Sequence, residues 1–145
     1  MSETTLLIQD IVEVSHEGAE FYEEAAKAVT DKTLSGVFSK LAKAKQDLIE
    51  NLSTGVKAKK SKTHVMADIG QFSSAYADAR GKFKSVSPAC ITALEKSESS
   101  LQHSLNQVVF DRSNDFIVRV YAKQYIGATE VLKSQLRNSV RKMAG

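Results

Sequence analysis

Leu34, Phe38, Leu41, Lys45, Leu48 and Leu52 step along the chain by four, three, four, three and four residues, which is the period of one stripe down an α-helix. A stripe with an apolar side chain at every position but one commits this stretch to a helix packed on a core. It also places a lysine where burial is expected. An ionised amine in an apolar interior is costly unless a counter-ion meets it. The rest of the chain must therefore supply helices for this stripe to pack against and an acid for Lys45.

Both are present. From Thr5 to Val29 two stripes run side by side, one through Leu7, Ile11, Val14, Gly18, Phe21 and Ala25, the other through Ile8, Val12, Ser15, Ala19, Tyr22 and Ala26, giving a wide buried face. Glu13, Glu17, Glu20, Glu23 and Glu24 fill the opposite side and read as a solvated face. Thr30 or Asp31 caps the second helix, which fades near Gly55. VKAKKSKTHV follows as a basic loop holding Lys57, Lys59, Lys60 and Lys62, without the interleaved aromatics of a nucleic-acid contact. Thr63 is a candidate cap for a shorter helix on Val65, Ile69, Phe72, Tyr76, Ala79 and Phe83. Ser87-Pro88 opens the next, with serine accepting from free amides and proline in the first turn. Its stripe is Ile91, Leu94, Glu98, Leu101, Leu105 and Val108, so Glu98 is the candidate partner of Lys45. After a turn at Asp111 to Asn114, a long last helix places Ile117, Val120, Gln124, Gly127 and Val131 on its expected buried side. Its tail carries Leu132, Leu136, Val140 and Met143, an apolar stripe beyond the bundle's end and hence a candidate association surface.

The spacing thus predicts helices near 5–29, 32–54, 65–82, 88–109 and 114–142. Short links join the first two and the last two long helices, making each pair antiparallel, while the long middle link can return along the bundle and leave the second and third long helices parallel. A length of 145 residues, 42% hydrophobic and 26% charged with one proline, fits one all-α domain over 1–145.

The formal charge of +3 is too small to call for nucleic acid. The row Lys133, Arg137 and Arg141, with Lys142 beside it, reads as solvated, the alternative being a contact with nucleic acid or an acidic partner that weakens steeply with salt. Cys90, the lone cysteine, excludes an intrachain disulfide and fits the cytoplasm. It sits near a helix start, where a lowered pKa would make it redox-sensitive, although a small packed side chain is the plainer reading. The N-terminal sequence is acidic where a signal peptide is basic, and no apolar run is long enough to span a membrane. His16, His64 and His103 show no metal-ligand spacing, Tyr22, Tyr121 and Tyr125 read as packing residues, and no nucleophile, base and orienting acid occur together.

The phrases EGAEFYEEAAKAV, LSGVFSKLAKAKQDLIENL and LEKSESSLQHSLNQVV resemble those of rubrerythrin-type and other ferritin-like domains, and more closely a bacterial family of ferritin-like four-helix proteins classed as a domain of unknown function. The resemblance implies a ferritin-like four-helix bundle with one long crossover containing a short extra helix. Such bundles hold two irons with a glutamate from each of two helices and an E-x-x-H pair from each of the others. Carried onto this chain, those positions fall at Ser15, at Lys45 and Leu48, at Glu98, and at Gln124 and Gly127. One carboxylate beside an ammonium cannot hold two irons. The expectation is a buried polar layer of Ser15, Lys45, Glu98 and Gln124 in place of the metal, with no cofactor and no catalytic residue. The function expected is a non-enzymatic module that self-associates or binds another protein, in a stress-related setting suggested by the wider superfamily. The alternative is a metal- or small-molecule-binding protein with redox activity.

Overall fold

The computed structural model describes residues 3–53, 65–66, 69–83 and 86–144. Five helices make up nearly all of them: α1 Glu3–Ala28, α2 Lys32–Leu52, α3 Ile69–Arg80, α4 Pro88–Phe110 and α5 Phe116–Ala144. No strand occurs among the described residues, and no helix there is long and apolar enough to cross a membrane.

The helix ends have local causes. Asp31 caps α2 by accepting from the Leu34 amide at 3.1 Å, and the Ser35 hydroxyl donates to the Ala26 carbonyl at 2.5 Å, tying the start of α2 to the end of α1. Ser87 accepts from the Cys90 amide at 3.2 Å with Pro88 in the first turn of α4. At the far end of α4, Asn114 donates to the Val108 carbonyl at 3.0 Å and Arg119 to that of Val109 at 2.8 Å, satisfying carbonyls that the helix itself leaves open.

Helix α3 starts at Ile69 rather than at the expected 65. The buried Asp10 carboxylate of α1 accepts from the Val65 and Met66 amides at 2.7 and 3.0 Å, so this segment is pinned to α1 before the helix begins. The candidate cap Thr63, His64 and the basic run from Lys57 to Lys62 lie outside the described residues.

Pairing along the chain gives the directions. Asp10 meets Met66, the Glu17 carboxylate accepts from Ser73 at 2.7 Å, and Glu24 accepts from Arg80 at 2.9 Å. Residues 65–66 and α3 therefore advance in step with α1 and run parallel to it. The crossover thus returns the chain to the end at which α2 began, and α4 descends parallel to α2. The same contacts revise the reading of the acidic face of α1, because Glu17 and Glu24 hold the crossover helix while Glu20 remains exposed. α1 pairs with α2 and α4 with α5, the two hairpins join chiefly through α2 and α5, and α3 lies on α1 and α4.

The core is continuous. Ile11, Phe21, Leu41, Ile91 and Leu105 are fully buried, each contributing about 1.5–3 kcal/mol of transfer free energy. Phe21 stacks on Tyr76 at 4.9 Å and meets Tyr22 edge-on at 5.0 Å, so the aromatic rings of α1 and α3 lock the crossover down.

Helix α5 departs from its expected orientation. Ile117 is 56% and Val131 62% exposed, and Gln124 and Gly127 face outward with them. The buried stripe is instead Val118, Ala122, Tyr125, Thr129, Leu132 and Leu136. Both stripes have helical spacing, but the outer one turns polar at Ser134 and Asn138 whereas the inner one stays apolar to Leu136 and Val140; the fold buries the stripe that is apolar over the greater length. The proposed association stripe is corrected accordingly. Leu132 and Leu136 lie in the core of this same chain, Val140 packs against it, and Met143 is 39% exposed.

A buried ion-pair layer as the candidate functional site

Lys45 and Glu98 face each other across the bundle from the parallel helices α2 and α4, each at the break in its own stripe. The Lys45 Nζ donates to Glu98 Oε1 at 2.5 Å, to Oε2 at 3.0 Å and to the Tyr125 hydroxyl at 2.8 Å. Their side chains are 0% and 2% exposed. An ammonium has three protons to give, and all have acceptors here. Tyr125 in turn donates to Glu98 Oε1 at 3.3 Å, closing a triangle in which each bond polarises the next.

Every helix contributes to the surroundings. Gly18 and Tyr22 come from α1 and Tyr76 from α3. The Tyr22 ring lies 5.7 Å from the Lys45 nitrogen, within range of a cation–π attraction. Gly18 makes the approach feasible, because a Cβ there would lie 2.6 Å from the Tyr76 hydroxyl and 2.8 Å from Lys45 Cδ. Any larger residue would push the lysine stem out of its channel.

The phenols are held neutral. Burial, and after it the charge of Glu98, pushes the Tyr22, Tyr76 and Tyr125 hydroxyls well above the usual phenol range. The Tyr22, Tyr76 and Ser15 hydroxyls are buried without hydrogen-bond partners among the described residues, a state that carries about 1–3 kcal/mol each.

Of the expected layer, Ser15, Lys45 and Glu98 are buried, and the lysine and glutamate meet. Ser15 does not supply the hydrogen bond expected of it, its buried hydroxyl having no partner among the described residues. Gln124 is not in the layer: it faces outward, and its neighbour Tyr125 takes the place assigned to it. The register of α5 explains the exchange. Tyr22, Tyr76 and Gly18 belong to the site as well; their signal in the sequence was position on a stripe, which marks packing and is silent about a hydroxyl at the ring's tip. A turn further along α4, Gln102 donates to Thr129 Oγ1 at 3.2 Å and accepts from Lys133 at 2.8 Å, extending the polar contact between α4 and α5 towards solvent.

The donor chemistry does not fit two irons. Glu98 is the one carboxylate in the layer among the described residues, and both its oxygens are occupied by the ammonium; nowhere among the described residues do three or more His, Cys, Asp or Glu side chains group as metal ligands. His16 and His103 are exposed. Burial pushes the Cys90 thiol up, against the pull of Lys82, which disfavours the reactive thiolate. The basic row of α5 is partly engaged at home, since Arg137 pairs with Glu95 at 2.7 Å and Lys133 binds Gln102. In comparisons with known proteins, no family model, no curated protein and no solved structure matches this chain.

Proposed function

We propose that this chain is a ferritin-like bundle whose central layer is closed by the Lys45–Glu98 ion pair, and that it works as a non-enzymatic cytoplasmic module acting through protein association. The observation that carries the reading is the saturated ammonium: Lys45 gives its bonds to both oxygens of Glu98 and to Tyr125. A carboxylate that accepts from an ammonium through both oxygens already has its charge balanced, and a lysine so engaged is neither a base nor a nucleophile. The parallel course of α2 and α4, with the crossover returning along α1, supports the ferritin-like assignment. Lys45 then takes the place of a metal in balancing the carboxylate, and the layer acts as a lock on helix register.

The test is iron loading. Purified protein incubated anaerobically with ferrous iron and then desalted should retain no stoichiometric metal by elemental analysis. Retention of one or two irons per chain, with Glu98→Gln abolishing it, would overturn the reading in favour of a redox protein.

A further inference from the structure

We propose that the outer face of α5 is a homodimer interface, in which two copies of the chain pack α5 against α5 in antiparallel fashion. The proposal rests on the protein-association part of the reading above and identifies the partner. Ile117, Val120, Gln124, Gly127 and Val131 recur at helical spacing on the side of α5 turned away from the core, and Ile117 and Val131 are 56% and 62% exposed. From Ile117 to Asn138 that strip contains no Asp, Glu, Lys or Arg, over about 30 Å at the helical rise per residue. A solvated helix face normally carries charge. A long uncharged strip with exposed β-branched side chains marks a surface that is covered.

Gly127 sits in the middle of the strip. A Cβ there would meet nothing within 4 Å, and no glycine among the described residues needs a positive φ. Neither the backbone nor the packing of this chain calls for glycine at a position where it weakens the helix. Close approach by another helix does.

The charges beside the strip select the partner. Lys123 and Glu130 are exposed on one flank of it, two turns apart on either side of Gly127. In a two-fold antiparallel pair the same flank of each helix meets its copy. Centred between Gln124 and Gly127, such a pair sets Val120 beside Val131 of the partner subunit and Lys123 opposite Glu130 of the partner subunit, with the reciprocal contact made at the same time. A two-fold parallel pair would instead set this flank against the partner subunit's other flank, formed by uncharged residues at positions 121, 128 and 135, so that neither charge meets an opposite one. Within its own chain Glu130 has a 3.7 Å contact with Lys133 and remains 55% exposed, so it can still turn towards the partner.

Sedimentation velocity of the full chain over a concentration series tests this, with variants that leave the fold intact. The parent should sediment as a species of twice the 15.9 kDa chain mass. Gly127→Arg, whose side chain has open space in the single chain, should be a monomer with unchanged or higher thermal stability. Lys123→Glu should weaken the dimer at least tenfold, and Lys123→Glu with Glu130→Lys should restore it. A parent that is monomeric at every concentration would overturn the proposal, as would a dimer indifferent to Gly127→Arg or a charge swap that fails to rescue. None of these variants touches Lys45 or Glu98, so iron loading still tests the central layer separately.

Discussion

Two lysines reach across to α4, and they solve the same problem differently. Lys45 is 0% exposed and meets an ionised carboxylate, with every proton accepted. Lys133 is 14% exposed and meets the neutral amide of Gln102 at 2.8 Å, with Glu130 further off at 3.7 Å. Where water is absent, the charge needs an opposite charge and full hydrogen bonding. At the edge of the bundle, an apolar stem lying over the core with its head near solvent makes a single amide sufficient. Depth therefore decides whether a lysine in a helical bundle needs a counter-ion.

Glu98→Leu alone strands the Lys45 ammonium and should lower unfolding free energy by about 3–5 kcal/mol, whereas Lys133→Met should change it by less than about 1 kcal/mol; urea denaturation of both variants reads the difference. Next in size, Gly18→Ala should destabilise by about 1–2 kcal/mol, since the overpacking against Tyr76 and the Lys45 stem exceeds the gain in helix propensity. Gly36→Ala, with open space around it, should instead stabilise by up to about 1 kcal/mol. Equal thermal shifts for the two glycine variants would show that the lysine channel is not tight.

Tyr22→Phe removes a buried hydroxyl without a hydrogen-bond partner among the described residues and should stabilise by about 1 kcal/mol. The same tyrosines set a pH dependence. Their folded-state pKa values are raised, so at high pH the unfolded chain loses phenol protons first. Stability from this source is complete below the ordinary phenol pKa of about 10 and declines as pH rises above it. Denaturation midpoints followed from pH 8 upward should fall above that point, and less steeply in Tyr22→Phe; identical slopes would remove Tyr22 from the titrating set.

How much was legible in the sequence follows from the same physics. Lys45 and Glu98 each interrupt an otherwise apolar stripe, and a charge at a core position is a strong signal because its burial is so costly. The helices and their antiparallel hairpins follow from spacing and link length. Helix α5 carries two stripes one residue apart, and spacing alone cannot rank them; the sequence reading favours the stripe of Gln124, whereas the fold buries that of Tyr125. Length ranks them, since the inner stripe stays apolar to Leu136 and Val140, the residues that the sequence reading assigns to an association surface. Asp10 left no local trace at all. Its partners are the amides of Val65 and Met66, far along the chain, and a backbone amide has no identity in the sequence.

Lys45 and Glu98 stabilise the fold as a coupled buried pair, and a double-mutant cycle by chemical denaturation measures that coupling. Lys45→Met should lose about 3–5 kcal/mol, and so should Glu98→Leu, while the double variant should return to within about 1 kcal/mol of the parent or exceed it, because apolar replacement of both charges removes the desolvation cost along with the attraction. A Lys45→Met protein as stable as the parent, or a double variant whose loss equals the sum of the two singles, would contradict it.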